Sequence, residues 1–522
     1  MTDPAIDRAE LQRRAVSGSL WTAMHVLVSL PIAFVANAVV ARILGVSEYG
    51  RLAFLTALLV TAGQLLNLGS SNATIQFGAA AHAQGRVNGV NVLLRKALSL
   101  QLLQAPLLIA IAVVVLQGSP SYLILAAATG IAASALLGTS SLALTVESRT
   151  GVGARIAIVS NLFVQVAVVA AAILFHNSAG VWSVRTGVVG LLLGLCLIPL
   201  AAHRRRACLL PAVPRRFPDG YWPFALSIGS ATFIGTLVFS RSEIFLLQWL
   251  STPVAVGLFA LAYGIGTHLT ALSGVLLGPL IPTVAGLVAT DPTAVSRAYR
   301  RVLGASSVFV GFLTAVLFPP VFVLVPLIYG KQYVEVPRLL LGLGLAAFLT
   351  MLVSPTYAFV TARRRGSTLI RINAIALGVD VALAVPLILL WDAAGAVIAN
   401  VAGATVASAL LVSDELRSQN AGWKTVAAPL RTWLAAAVVA VAVIAISAVS
   451  PMPAISTAAA AMVVGCVGWF LSLRLVRGGL DTADLLALTA ALPGRFARGF
   501  ERLLRRLIPT RDNVPVTGDG AD

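Results

Sequence analysis

The chain has 522 residues, of which 58% are hydrophobic and 11% charged, and its mean hydropathy is +0.93. Soluble domains carry about 25% charged residues, so this composition excludes an ordinary water-soluble fold. The apolar residues form continuous runs of about 20 residues, which predict membrane-spanning helices and not the alternating strands of a transmembrane barrel. The net charge of +18 does not indicate nucleic acid, because the Lys and Arg residues lie almost entirely between these runs.

A short cytoplasmic tail, 1–16, precedes a first lobe of six predicted helices at 17–202. Each helix is an apolar run long enough to cross the hydrocarbon core of a bilayer. The predicted helices lie near 17–41, 52–79, 92–116, 121–146, 156–175 and 182–202. Within the second run, Gly69-Ser70-Ser71 is expected to loosen the helix locally.

A basic cytoplasmic linker, 203–221, separates this lobe from a second one of six helices at 222–413. Two additional helices follow in 414–475, and a basic cytoplasmic tail, 476–522, ends the chain. In that tail, the amphipathic stretch from Phe496 to Leu507 is expected to bind anionic lipid. The later helices lie near 222–250, 254–288, 302–326, 337–362, 369–391, 394–413, 431–449 and 454–475.

The distribution of positive charge fixes the orientation of these fourteen predicted helices. With a cytoplasmic N-terminus, 31 of the 37 Lys and Arg residues lie in inner loops and tails, five lie in outer loops, and Arg241 lies in a span. This bias is the positive-inside pattern, so both ends of the chain are predicted to be cytoplasmic. The fold class predicted is therefore an all-α, multi-pass integral membrane protein.

The two lobes suggest an internal repeat, because the turns after their first helices correspond. Arg42-Ile43-Leu44-Gly45-Val46-Ser47-Glu48-Tyr49-Gly50 occupies this place in the first lobe, and Leu250-Ser251-Thr252-Pro253-Val254-Ala255-Val256-Gly257 occupies it in the second. Each lobe has an even number of spans, so the repeats would be parallel, with a substrate between the lobes.

Three of these local motifs resemble a known family. The segment 41–50 is similar to that family's first outer turn, in which a Leu-Gly step leads to a Tyr-Gly pair. The segment 256–262 is similar to the start of its helix eight, and 328–333 to its loop after helix nine. Over roughly residues 10 to 480, the chain resembles the bacterial polysaccharide flippases of the multidrug/oligosaccharidyl-lipid/polysaccharide exporter superfamily.

The resemblance implies transport in the bacterial cytoplasmic (inner) membrane. The implied cargo is an oligosaccharide linked to a polyprenyl diphosphate, flipped from the cytoplasmic to the outer leaflet for cell-surface polysaccharide biosynthesis by alternating access between two lobes. Partners would be membrane lipid, this lipid-linked glycan, and a polysaccharide polymerase with its export machinery. Two alternatives stay open: an ion-coupled multidrug exporter of the same superfamily, and a membrane polysaccharide ligase or polymerase.

An enzymatic function receives little support from the sequence. A ligase or polymerase would need a long outer loop rich in Arg and His, which the sequence lacks, and no nucleotide-binding or metal-binding motif is present. No catalytic residue, metal or cofactor is predicted. Coupling to a proton or sodium gradient is the expected energy source. The three cysteines, Cys196, Cys208 and Cys466, are interpreted as structural because their spacing matches no metal or redox motif.

Arg241 and Glu243 lie well inside predicted helix seven, where an isolated charge is costly and therefore should face protein or water. Two positions apart on a helix, they point in different directions and are not expected to neutralise each other. A guanidinium binds phosphate oxygens bidentately, so Arg241 is a candidate for the diphosphate. The alternative is a structural ion pair with another helix.

Other polar residues inside the predicted spans complete the candidate site. Asp380 in helix eleven is a candidate ion-coupling carboxylate, and His25 in helix one could titrate near neutral pH. Helix packing is the competing interpretation for each of them. The candidate substrate-binding residues are Arg241, Glu243, Arg42, Asn37, Gln64 and Asn72.

Overall fold

The computed structural model describes residues 8–237, 242–277, 284, 287, 294–363 and 365–476. Throughout these residues the regular secondary structure is helical. The helices are α1 (Arg8–Asn67), α2 (Ser70–Ala83), α3 (Val87–Val115), α4 (Ser121–Val146), α5 (Thr150–Phe175), α6 (Ser178–Leu192), α7 (Ala202–Leu209), α8 (Tyr221–Thr236), α9 (Ser242–Leu250), α10 (Pro253–Leu277), α11 (Ala294–Phe312), α12 (Phe318–Tyr329), α13 (Val336–Ala362), α14 (Gly366–Ser418), α15 (Lys424–Ala448) and α16 (Ala454–Leu475).

Eleven helices among the described residues are long and apolar enough to cross a membrane. Many large apolar side chains on them face outward: Leu174 is 74% exposed and Val438 is 69% exposed. Water would oppose such exposure, whereas lipid chains solvate it. The chain is therefore an all-α, multi-pass membrane protein, as the composition predicts.

Two of these helices are too long for one crossing and break where the sequence predicts turns. In α1, Gly45 has φ 76° and ψ 171°, and Tyr49 reaches back to donate a 3.0 Å hydrogen bond to Asn37. Twelve residues of straight helix would place those side chains about 18 Å apart, so the chain reverses at Gly45. Gly69, with φ 74°, separates α1 from α2 and confirms the expected local loosening of the second predicted helix.

The second break lies in the 53-residue helix α14, at Trp391 and Asp392. Beyond it the chain folds back so tightly that a Cβ on Gly395 would lie 2.0 Å from the carbonyl oxygen of Leu387. Further along the same pair of segments, a Cβ on Gly403 would lie 3.0 Å from the Cβ of Asp380. The two halves of α14 therefore run antiparallel in close contact, and the missing side chains of these glycines permit it.

The chain forms two compact units, one of Met1–Gly278 with Gly366–Gly403 and one of Pro279–Arg365 with Ala404–Asp522. The predicted lobes 17–202 and 222–413 and the internal repeat stay predictions. In the first unit, a large apolar core includes Val40, Leu55 and Trp182. This unit contains most of the polar residues that the sequence analysis selected.

The second unit has its own core, in which the ring of Trp469 packs against Gly311. Polar contacts fix other parts of it. The hydroxyls of Tyr299 and Thr356 lie 3.0 Å apart, and both are buried. Arg365, which directly precedes α14, pairs with Asp414 near the end of that helix at 2.8 Å.

Candidate functional site

Two carboxyl groups that the sequence analysis treated separately lie together in the first unit. Glu243 is in the first turn of α9, Asp380 is in the first half of α14, and both are 0% exposed. Ser242 lies between them: its Oγ is 2.7 Å from Asp380 Oδ2 and 3.1 Å from Glu243 Oε2. Asn400, in the second half of α14, donates a hydrogen bond to Glu243 Oε1. We call these four residues the carboxyl pocket.

The break in α14 assembles this pocket. Asp380 and Asn400 are 20 residues apart in sequence. The reversal at Trp391 and Asp392 brings both side chains next to Glu243 and Ser242. Gly403 lies directly against Asp380, where a larger residue would push on its Cβ. The aspartate is thus held between Ser242 of α9 and the glycine of the returning segment.

Hydrogen-bond accounting shows that the carboxyl pocket is short of positive charge. The single proton of the Ser242 hydroxyl faces three acceptors, since the carbonyl oxygen of Leu237 lies 2.8 Å away in addition to the two carboxyl oxygens. Asp380 Oδ1 is buried and has no hydrogen-bond partner among the described residues. Neither carboxyl forms an ion pair with a described cationic side chain. Two buried like charges this close need a proton or a cation between them.

The donor set indicates which cations would fit. Carboxylate, hydroxyl and amide oxygens are hard ligands, which suit a proton or a hard cation and not a thiophilic metal. Among the described residues, no group of three or more His, Cys, Asp and Glu side chains could hold a metal ion. The role of this pocket as an ion-coupling site stays a prediction.

The remaining predicted residues lie elsewhere or are not described. Arg241 lies outside the described residues. Asn37 is half-buried and accepts the hydrogen bond of Tyr49, and Gln64 has a buried Oε1 with no partner among the described residues. Arg42 and Asn72 are exposed, and His25 is half-buried. Their roles as ligands of a substrate or an ion stay predictions.

Ser242 and Asn400 were missed by the sequence analysis. A signal existed for each: Ser242 directly precedes the intramembrane Glu243, and Asn400 is an amide inside an apolar run. Neither signal says which helices are neighbours. The hydrogen bonds across α9 and both halves of α14 supply that information.

The two turns proposed as equivalent in the internal repeat pack against each other within the first unit. A Cβ on Gly50 would lie 2.0 Å from the carbonyl oxygen of Pro253, and one on Gly257 would lie 2.1 Å from the carbonyl oxygen of Val46. A similar contact joins Gly69 to α8, where its Cβ would lie 2.1 Å from the carbonyl oxygen of Ala225. Backbones touch at these points without room for a methyl group.

Solved structures show the same architecture. The lipid II flippase MurJ in an inward closed conformation aligns with a TM-score of 0.62 and 12% sequence identity, over 88% of this chain and 98% of that one. A mutant of the Vibrio cholerae MATE transporter VcmN aligns with a TM-score of 0.54 and 15% identity, over 78% of this chain and 98% of that one. A MATE protein in complex with MaL6 aligns with a TM-score of 0.52 and 14% identity, over 78% and 96% of the two chains.

At these identities the likeness establishes the fold, which is that of the superfamily containing MurJ and the MATE transporters. The sequence has no significant match among curated proteins. A family model described as "Polysaccharide biosynthesis protein" matches residues 15–288, more than half of the chain. This match confirms the relationship predicted from the outer-turn motifs. The chain belongs to the polysaccharide biosynthesis protein family and has the transporter fold of the multidrug/oligosaccharidyl-lipid/polysaccharide exporter superfamily.

Proposed function

We propose that this protein flips a polyprenyl-diphosphate-linked oligosaccharide from the cytoplasmic to the outer leaflet of the bacterial cytoplasmic membrane. The observation that carries the proposal is the family match over residues 15–288 in a chain whose fold is shared with a lipid II flippase. The product would supply cell-surface polysaccharide biosynthesis. Its consumer would be a polymerase with its export machinery on the outer side of the membrane.

The proposed topology has fourteen crossings with both ends in the cytoplasm. The described residues contain eleven candidate spans, and the reversals in α1 and α14 divide two of these into pairs, which makes thirteen. The fourteenth crossing would be helix seven, of which α8 and α9 are the described parts. Two six-helix lobes and two additional helices then account for the chain, and the distribution of Lys and Arg supports the orientation.

The carboxyl pocket would couple this transport to a proton or sodium gradient. An empty pocket holds two buried acidic groups, whereas a bound cation cancels part of their repulsion and satisfies the free oxygen of Asp380. Binding therefore favours the arrangement in which α9 and both halves of α14 converge on the cation. We accordingly propose that Glu243, which the sequence analysis predicts as a substrate ligand, binds the coupling cation together with Asp380.

Substrate binding would involve the polar residues of the first lobe and helix seven. Arg241 is proposed for the diphosphate, because a guanidinium keeps its charge and binds phosphate oxygens bidentately. The sugars would contact amides and a second guanidinium elsewhere. The residues proposed for those contacts are Asn37, Arg42, Gln64 and Asn72.

Alternating access requires close contacts that form in one state and separate in another. The contact between Gly50 and the start of α10, and that between Gly69 and α8, are candidates. Both join backbone to backbone, so few side chains must repack when they open. Their glycines are thus proposed as the surfaces that close the path on either side of the cargo.

Deletion of the gene tests the proposal. Loss of surface polysaccharide with accumulation of the lipid-linked oligosaccharide on the cytoplasmic leaflet, restored by the wild-type gene, is the expected result. Unchanged polymer with new sensitivity to cationic drugs would favour the multidrug exporter, which the MATE-like fold also supports. Accumulation on the outer leaflet would instead place the block at ligation or polymerisation.

Complementation by Arg241→Ala and Arg241→Lys tests the diphosphate assignment, which fails if both restore normal export.

A further inference from the structure

The linker between the predicted lobes is docked onto the first unit by its helix α7. Arg204 on this helix is 1% exposed and bonds to Glu147 Oε1 at 2.8 Å and to Asn91 Oδ1 at 2.6 Å. Ala207 and Cys208 on the same face lie in an apolar cluster, and Thr139 donates to the carbonyl oxygen of Cys208. One face of α7 is therefore buried against α3 and α4.

The rest of the linker runs along α3 and is held there by its backbone. Arg95 bonds to the carbonyl oxygens of Leu210 and Pro211, and Lys96 bonds to that of Arg216 at 2.8 Å. Ser99 also contacts this segment, because its hydroxyl donates to the carbonyl oxygen of residue 212. Backbone carbonyls make these contacts, whereas the ring of Phe217 stacks on Tyr221 and Arg205 donates from Nε to the carbonyl oxygen of Leu200.

Five basic or titratable residues of the linker are exposed, namely His203, Arg205, Arg206, Arg215 and Arg216, and we call the exposed part of the linker its outward face. Asp219, the acidic residue of the linker, is also exposed.

Apolar side chains stand among these cations. Leu210 is 53% exposed and Val213 is 67% exposed, and Leu209 lies beside them at 38%. The positive-inside bias assigns the linker to the cytoplasmic side. Arginine and exposed leucine or valine on one surface are the pattern of a segment lying at the membrane interface, where apolar groups enter the acyl boundary and cations meet headgroups.

We propose that this face, formed by Arg205, Arg206, Arg215 and Arg216 with Leu209, Leu210 and Val213, binds headgroups of anionic phospholipids in the cytoplasmic leaflet. A free phosphate ion would account for the arginines, but it would leave the three apolar side chains in water. The bound lipid would brace the junction at which α8 begins, since Tyr221 at that point donates a 3.0 Å hydrogen bond to the carbonyl oxygen of Ser70. The proposal concerns lipid and does not depend on the cargo.

The full-length protein in nanodiscs offers a direct test. Nanodiscs of phosphatidylcholine are compared with nanodiscs that also contain phosphatidylglycerol, and retained phosphatidylglycerol and the melting temperature are measured. Wild type should retain phosphatidylglycerol and melt at a higher temperature in its presence. The variant Arg205→Gln/Arg206→Gln should bind phosphatidylglycerol at least about tenfold more weakly, as expected when two cations leave a charged surface.

The matched control is Arg297→Gln/Arg300→Gln on α11, which removes the same charge from exposed positions where no large apolar side chain is exposed on the described helix. This control should keep the wild-type response, and Arg205→Lys/Arg206→Lys should keep most of it. Equal loss in both Gln variants would overturn the proposal in favour of a net-charge effect. A stabilising response to inorganic phosphate in phosphatidylcholine alone, equal to that of phosphatidylglycerol, would also overturn it.

Discussion

Two buried clusters of charged side chains in the first unit differ in how their charge is balanced. At the linker, Glu147 pairs with Arg204 at 2.8 Å and more loosely with Arg149 at 3.8 Å, and Arg204 also bonds to Asn91, so the anion of this cluster has cations beside it. In the carboxyl pocket, Glu243 and Asp380 share the hydroxyl of Ser242, and Asn400 supplies a neutral donor. The first cluster is complete in itself, whereas the second has two anions and no described cation.

We propose that this difference separates a structural role from a functional one. A buried ion pair with its hydrogen bonds made has no need of a ligand and holds one geometry. Two buried carboxyls gain most from a group that the fold itself does not supply, so their geometry depends on whether that group is present. The comparison predicts that the linker cluster governs stability and that the carboxyl pocket governs transport.

The largest effect is expected from neutralising the pocket. Asp380→Asn and Glu243→Gln remove the charge that attracts the cation while keeping size, so the apparent affinity for the driving cation should fall by about 10- to 150-fold, as expected for the loss of one contact to a charged group worth roughly 1.5–3 kcal/mol. The measurement is flipping rate against imposed proton and sodium gradients. Asp392→Asn is the control, because it removes an exposed carboxylate on the same helix while its amide oxygen can still accept the hydrogen bond of Ser251 at the break in α14, and it should transport normally. Normal gradient dependence in both pocket variants would show that the carboxyl pocket does not couple transport to the ion gradient.

Removing Arg204 should act on stability instead. Arg204→Ala removes the short, buried ion pair of Glu147 and leaves only the 3.8 Å contact with the partly exposed Arg149, so the cost should approach the roughly 3 kcal/mol at the lower end of the range for a broken buried pair. The free energy of unfolding or the melting temperature in detergent measures this change. Arg300→Ala, at an exposed position on α11, should shift stability by at most about 0.5 kcal/mol. If the two variants have the same melting temperature, the cluster of Arg204, Glu147 and Asn91 does not stabilise the fold.

A smaller change at Gly403 tests the geometry of the carboxyl pocket, because it moves Asp380 without altering the charge of the pocket. A Cβ there would lie 3.0 Å from the Cβ of Asp380, so Gly403→Ala should displace the carboxyl by a few tenths of an ångström. We expect a several-fold weaker dependence on the driving cation, measured as the concentration giving half-maximal transport. Gly378→Ala, on the same helix with nothing within 4 Å of the added methyl, should behave as wild type. Identical cation dependence in the two variants would contradict the geometry of the pocket.

The smallest expected signal comes from Cys208, which reports whether α7 is docked. Burial raises the pKa of its thiol to about 12, and the side chain is 0% exposed, so maleimide should label it very slowly near neutral pH. In a background with Cys196→Ser and Cys466→Ser, Arg204→Ala should accelerate labelling because α7 loses its anchor. Fast labelling of Cys208 with Arg204 intact would show that the linker is not held as described.

The sequence predicted those parts of the fold that depend on local patterns. Apolar runs gave the helices, and the turns around Gly45 and at 392–393 were expected because apolar runs stop there at residues suited to turns. Position along the chain also selected Glu243 and Asp380 as intramembrane charges.

What could not be predicted is contact between distant segments. The meeting of α9 with both halves of α14, which brings in Ser242 and Asn400, depends on helix packing that periodicity does not encode. The linker gives a second example. Its three consecutive arginines are chemically identical, yet Arg204 is buried while Arg205 and Arg206 face outward.

The most direct test of the central claim is flipping in proteoliposomes that contain a polyprenyl-diphosphate-linked oligosaccharide isolated from the producing cells. Accessibility of the glycan to an external glycosidase is followed after a proton or sodium gradient is imposed. We expect wild type and Asp392→Asn to move the glycan when one of these gradients is applied, and Asp380→Asn to move it at least about tenfold more slowly at a limiting concentration of the driving cation. Movement of the glycan by Asp380→Asn at the wild-type rate under that gradient would show that the carboxyl pocket does not couple transport to the cation.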